Sequence, residues 1–271
     1  MNFGLLQKSW NETWKATLVY GSVLVLLETT LAYVLFSFQD ELSQSWMQVE
    51  FFQRLLQGIL GTEADDGLGP GTFLALPWLH PAILGVLWAH AINYCTRIPV
   101  REIERGTIDV FLGLPVSRRE LYLHDSIVWL LSGGLVFLLM GVGNLVGTFA
   151  ADVDDPPSIG LLLQVLLNLF ALYLAVGGLT YLVSSLSQRR GRAVVAVFLL
   201  LLGSLFLNFL TPFWEAAKGF RWLNLLHYYQ PVRLLAGDGI PPHHLIILLA
   251  VGAAGWGVGG WCFGRRDIYT L

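Results

Sequence analysis

Glu104-Arg105-Gly106-Thr107-Ile108-Asp109-Val110-Phe111-Leu112-Gly113-Leu114-Pro115-Val116-Ser117-Arg118-Arg119-Glu120 is a short charged stretch set between two long apolar runs. Thr107 can cap a helix, with Asp109 in its first turn facing the positive end of the helix dipole. Ile108, Phe111, Leu112 and Leu114 cluster apolar groups, and Pro115 stops the element. Ser117-Arg118-Arg119-Glu120 then matches the S-x-x-E capping box that opens a helix. The stretch therefore predicts a short helix over 107–114 outside a membrane, followed by a span that begins near Arg118. Pattern alone leaves two readings of the short helix open. It is either a surface helix held to anionic lipid by its arginines or a plug for a groove on a partner.

The runs on either side make the membrane assignment. Mean hydropathy is +0.62, with 55% hydrophobic and 13% charged residues, against roughly 25% charged in a soluble domain. A bilayer core requires about 20 consecutive, mostly apolar residues per helix. Six runs meet that requirement, over 17–38, 73–94, 121–149, 161–186, 193–210 and 244–263. They are continuous and lack the alternation of a β-barrel. The expected fold class is an all-α membrane protein with six transmembrane helices. The first run lacks a charged n-region and a following A-x-A site, so it is expected to be a retained anchor.

Charge sets the expected orientation. With the N-terminus in the cytoplasm, that side holds Lys8, Lys15, Arg97, Arg101, Arg105, Arg118, Arg119, Arg189, Arg190, Arg192, Arg265 and Arg266. The opposite side keeps Arg54, Lys218, Arg221 and Arg233, and gains the acids Asp40, Glu41, Glu50, Glu63, Asp65, Asp66, Asp152, Asp154 and Asp155. Both termini are expected in the cytoplasm, where Cys95 and Cys262 at helix ends would stay reduced.

The remaining segments read as accessories to one transmembrane domain over 1–271. Phe3, Leu6, Trp10 and Trp14 share a face of an amphipathic helix, expected as an interfacial elbow over 1–16. The loop over 39–71 is acidic and then glycine-rich, with Trp46, Met47, Val49, Phe51 and Phe52 able to rest on the membrane. Segment 212–242 is too aromatic for a solvated loop and too broken to span, so short helices in the outer interface are expected. Gly-x-x-x-Gly pairs at Gly143/Gly147, Gly255/Gly259 and Gly260/Gly264 allow close helix approach and are read as packing within the chain.

Few residues offer chemistry. Glu28 is read as the only acid well inside a span, which makes it a candidate pathway group. Hydrogen bonding to an amide on a neighbouring helix is the alternative. Asn144, Gln164, Asn168 and Asn208 read as interhelical hydrogen-bonding positions. The adjacent His243-His244 pair lacks a third ligand, so no metal site is expected. A phosphate loop of the form G-x-x-x-x-G-K-[ST] is absent, and Lys8, Lys15 and Lys218 are the only lysines. An intramembrane protease would need a Ser–His pair at similar depth; Ser132 and Ser204 have none, and aspartyl GxGD and EExxxR patterns are missing. A channel or secondary carrier would be expected to show inverted repeats or more intramembrane charge.

The stretch from Glu102, Glu104, Arg105, Gly106 and Thr107 through Leu114-Pro115-Val116-Ser117-Arg118-Arg119 resembles the segment between the second and third spans of ABC-2 type transporter permeases. Leu226-His227-Tyr228-Tyr229-Gln230-Pro231 resembles that family's outer loop, and Phe263-Gly264-Arg265-Arg266-Asp267-Ile268 its C-terminal ending. With the six-span layout, the resemblance covers nearly the whole chain, and it is nearest to the small NosY-like and NatB-like permeases. It implies a non-catalytic permease subunit in the cell (inner) membrane, paired with a second, identical or related permease and with ABC ATP-binding subunits. ATP and Mg would be bound by the partner subunits, and this chain would carry no cofactor of its own. It also implies a coupling helix seated on the ATPase. Glu104, Arg105, Gly106 and Thr107 would lead into it, Phe111, Leu112, Leu114 and Pro115 would touch the ATPase, and Arg118 and Arg119 would sit at the rim. An extracytoplasmic soluble partner is a further candidate, and nucleic acid is not expected.

Overall fold

The computed structural model describes residues 3–38, 41, 70–108, 110, 113, 116–153 and 156–267. Among the described residues there are helices and turns and no strand. The long helices are α1 (Phe3–Ser37), α2 (Pro70–Leu79), α3 (Pro81–Cys95), α4 (Arg118–Ala150), α5 (Ile159–Leu186), α6 (Arg190–Leu210) and α7 (Pro242–Arg265). Six stretches of the chain are helical, long and apolar enough to cross a bilayer, with α2 and α3 together forming the second. The acidic and aromatic positions read over 39–69, Glu41 apart, lie outside the described residues, as do Asp154, Asp155 and Ile268.

Helix α1 continues from the segment expected as a separate elbow into the first span without a break. No Gly or Pro interrupts residues 5–20, so nothing in the backbone ends the helix there. The buried stripe is Leu5, Ser9, Thr13, Thr17, Gly21, Leu24, Glu28, Ala32 and Phe36, recurring at close to four residues. It is small and polar at its start, where the Thr13 hydroxyl donates to the Ser9 carbonyl (2.8 Å) and that of Thr17 to the Thr13 carbonyl (3.2 Å). The face read from the sequence as interfacial is a different one, on which Leu6 and Trp10 are half-buried and Trp14 is exposed.

Two helix pairs dominate the packing, α1 against α4 and α5 against α7. Both rest on glycine. A Cβ on Gly147 would fall 2.5 Å from the Thr29 carbonyl oxygen of α1, and one on Gly178 would fall 2.1 Å from that of Gly252 in α7. Backbones this close maximise van der Waals contact, which drives helix association where lipid removes the hydrophobic contrast. Gly143, Gly147, Gly255 and Gly259 are all engaged inside the chain, whereas Gly264 faces open space.

The second span is broken at His80 rather than continuous. Pro81 at the first position of α3 holds its predecessor in extended backbone (φ −61°, ψ 128°), and the His80 ring accepts from the Ala82 amide (3.2 Å). Segment 212–242 forms short helical turns at Glu215–Lys218, Arg221–Leu223, Leu225–Tyr228 and Pro231–Leu235. Its polar backbone is met from the spans. Asn168 of α5 donates to the Tyr228 carbonyl (3.3 Å) and accepts from the Gln230 amide (3.3 Å). Asn224 accepts from the Ser204 hydroxyl (2.5 Å) and donates to Asn208 (3.2 Å), both on α6. The bundle thus has an aromatic end, built on this segment, and an arginine end, where the stretch between α3 and α4 sits.

Candidate functional site

The chain stays helical after α3, through a wide π-turn at Arg97–Arg101 and one turn at Glu102–Glu104. Gly106, at φ +69°, ends that run in the left-handed region that glycine enters without strain. Beyond it Ile108 is fully buried and Val110 is 67% exposed, so the chain is pinned by one side chain and then turns outward. The Thr107 hydroxyl points back, donating to the Glu102 carboxylate (2.5 Å). The helix start at Arg118 follows the sequence closely. The Ser117 amide donates to Glu120 Oε2 (2.9 Å) and the Glu120 amide to the Ser117 hydroxyl (3.2 Å), a complete capping box.

Two arginines hold this stretch onto the bundle. Arg97 is almost fully buried, and its guanidinium reaches two helices at once. Nε donates to Asp125 Oδ1 of α4 (2.8 Å), Nη1 to Glu12 Oε2 of α1 (3.1 Å) and Nη2 to the Ser9 hydroxyl of α1 (2.7 Å). The other Asp125 oxygen accepts from the Tyr181 hydroxyl of α5 (3.3 Å). Burial works against the Arg97 charge, but Asp125 and Glu12 outweigh it and hold its pKa above the ordinary arginine value. Arg190, at the start of α6, donates from Nε to Thr96 (3.1 Å) and from Nη2 to Asn93 (2.7 Å), while its amide donates to Glu104 (2.8 Å). Helices α1, α4 and α6 are therefore tied to the residues between α3 and Gly106, and α5 joins them through Asp125. Arg118 completes the ring by donating to the Arg266 carbonyl at the end of α7, and Arg266 donates to the Ser185 carbonyl of α5 (3.3 Å).

Of the residues singled out from the sequence, Glu104, Arg105, Gly106, Thr107, Arg118 and Arg119 gather at this end, with Glu104, Arg105, Thr107 and Arg119 exposed. Phe111, Leu112, Leu114 and Pro115 lie outside the described residues. Glu28 is elsewhere, toward the aromatic end of α1. It is completely buried, accepting from Asn144 Nδ2 of α4 (3.1 Å), and its second oxygen has no partner. That is the amide pairing weighed for it in the sequence.

Glu28 is not the only acid inside a span, since Asp125 is buried within α4. The sequence carried a signal for it. Asp125 is the sole acid in the run over 121–149, and Arg97 is the first basic residue after the preceding run. Glu12, taken for the polar face of an elbow, escaped notice because its partner lies 85 residues away.

The profile of ABC-2 family transporter proteins matches residues 12–267. The chain belongs to that family. No curated protein and no solved structure matches it. It is thus an integral membrane permease of the ABC transporter class, and membership implies an ATP-binding subunit as partner. In this permease the family-like stretch at Glu102–Thr107 follows directly on Arg97, which is tied to α1 and α4, and its Glu104 is tied to the start of α6.

Proposed function

We propose that this chain is the non-catalytic transmembrane subunit of an ABC exporter, driven by separate ATP-binding subunits that dock on the stretch between α3 and α4. The observation that carries the reading is the contrast within that stretch. Its root is tied into the bundle by Arg97 and Arg190, while Glu104, Arg105, Thr107 and Val110 beyond are exposed. An element rigid at the root and open at the tip can pass a push from a soluble partner to several helices. Closure of the ATPases on ATP and Mg would shift the root and bias the spans between two arrangements. Phe111, Leu112, Leu114 and Pro115 supply the apolar contact with the ATPase in this reading, flanked by the charges of Arg105, Arg118 and Arg119. The arginine end and both termini then face the cytoplasm of a cell whose inner membrane holds the complex, beside a second permease copy or homologue. Glu28 lines up as a candidate group on the pathway.

The test is co-purification from the native host in mild detergent, followed by an ATPase assay. An ATP-binding subunit should be recovered with activity. Phe111→Asp combined with Leu114→Asp should abolish its capture while membrane insertion stays intact. Undiminished capture and activity in that variant would remove the coupling role from these residues.

A further inference from the structure

The aromatic end gathers arginines and histidines on the side of the membrane where the sequence reading expects few basic residues. Arg221 donates from Nε to His227 Nδ1 (3.0 Å), which leaves the His227 proton on Nε2. The His227 and His244 rings are 5.5 Å apart, and His243 stacks edge-on at 4.4 Å from His244. Arg221 and Arg233 both act electrostatically on His244. Two described acids of the segment pair at exposed positions with its other cations, Asp238 with Arg233 (3.3 Å) and Glu215 with Lys218 (3.1 Å). His244, at the centre, is only 6% exposed, and its Nδ1 is buried without a hydrogen-bond partner. His243 and His244 also open α7, a helix of 24 residues, so its positive dipole end adds to the same point. Among the described residues no three His, Cys, Asp or Glu side chains are arranged to hold a metal ion. A buried ring nitrogen, an arginine and a helix N-terminus together match an anion, phosphate above all.

Next to this cluster in the chain lies an apolar cavity of about 520 Å³ between α5, α6, α7 and the short turns. Leu207, Trp222, Leu225, Tyr228, Ile247 and Val251 line it. Two lining residues adjoin the cluster: the Tyr228 ring lies 5.4 Å from that of His244, and Ile247 follows His244 by one helical turn. We propose that this is a binding site for a phospholipid, with the phosphate held by Arg221, His227, His244 and the start of α7, and an acyl chain in the cavity. The charge cluster selects the head and the cavity selects the tail. Neither part depends on ATPase docking at the other end of the bundle.

Binding would be measured on the full chain in a non-ionic detergent with three probes. They are dihexanoyl phosphatidylglycerol, dihexanoylglycerol (the same chains without phosphate) and inorganic phosphate. The phospholipid should bind at least tenfold more tightly than either of the others. Arg221→Gln and His244→Gln should each reduce that affinity tenfold or more. Ile247→Trp, which fills the cavity without touching the head, should reduce phospholipid affinity while leaving phosphate binding unchanged, and it decides the matter should a head variant fail to fold. Equal binding of dihexanoylglycerol would reduce the site to a greasy groove and overturn the proposal. Phosphate bound as tightly as the phospholipid would make it a free-anion site, with the same consequence.

Discussion

The two ends of this bundle meet one physical demand with different chemistry. Both must satisfy polar groups where helices stop and apolar packing continues. The arginine end does so with full charges: a buried guanidinium shared by Asp125, Glu12 and Ser9, and a second shared by Thr96 and Asn93. The aromatic end keeps its ion pairs exposed and buries neutral amides and rings, with Asn224 and Asn168 as hubs and tyrosine hydroxyls on carbonyls, such as Tyr229 on Trp78 (3.2 Å). Ion pairs in a low dielectric are strong but depend on every member, because a buried charge left alone is costly. Neutral networks lose less when one member goes. The arginine end should therefore behave as a single unit and the aromatic end as separable parts.

The largest effect follows from breaking the charged unit. Asp125→Ala strands Arg97 in the bundle and should destabilise the protein by about 3–5 kcal/mol, read as a drop in thermal unfolding temperature in detergent. Glu12→Gln removes the half-exposed partner of the same guanidinium and should cost only about 0–1 kcal/mol. Equal losses would erase the distinction between buried and exposed partners. At the opposite end, Asn224→Ala removes partners of Ser204, Asn208 and the Leu226 amide and should cost about 1–3 kcal/mol. A loss as large as that of Asp125→Ala would contradict the idea of separable parts. Ser117→Ala deletes one cap of α4 and should cost about 1 kcal/mol, detected as faster amide exchange confined to the first turn.

The smallest effect concerns pH at the aromatic end. Burial, followed by the nearby Arg221, His244 and His243, lowers the His227 pKa to about 4, from about 6.5 for a free imidazole. The unfolded chain therefore holds the proton more tightly than the folded one. The contribution of His227 to stability is complete above pH 6.5 and is lost as pH falls through about 4. Unfolding temperature measured across that window should decline more steeply for the unaltered protein than for His227→Gln. Parallel curves would show that the ring is not held neutral.

Much of this architecture was legible in the residues. The six apolar runs, the Ser117–Glu120 cap and the broken helices of 212–242 follow from hydropathy, spacing and composition, which act locally. The pairs Gly143/Gly147 and Gly255/Gly259 pointed correctly to packing within the chain, because only a missing Cβ lets Gly147 reach the α1 backbone, whereas Gly264 of the third pair faces open space. The packing face of α1 was not legible, for the opposite reason. Its first turns look amphipathic, yet the side that packs carries Ser9, Thr13 and Thr17, small enough to admit Arg97 and Tyr94, whose hydroxyl donates to the Thr13 carbonyl (2.9 Å). Periodicity ranks residues by hydropathy and is blind to a small polar stripe that meets a partner far along the chain.

The sequence by itself determined that this is a six-span helical membrane protein of ABC-2 type, where its spans begin and which end carries the arginines. Those are properties of runs and local motifs, set by the free energy of placing each segment in a bilayer. The tertiary structure alone decided which charges meet. Ser9, Glu12, Arg97, Asp125 and Tyr181 come from four helices, and His227 and His244 from two elements across a break. Such pairings depend on how helices rotate and cross, and interhelical packing, rather than any single segment, chooses that rotation.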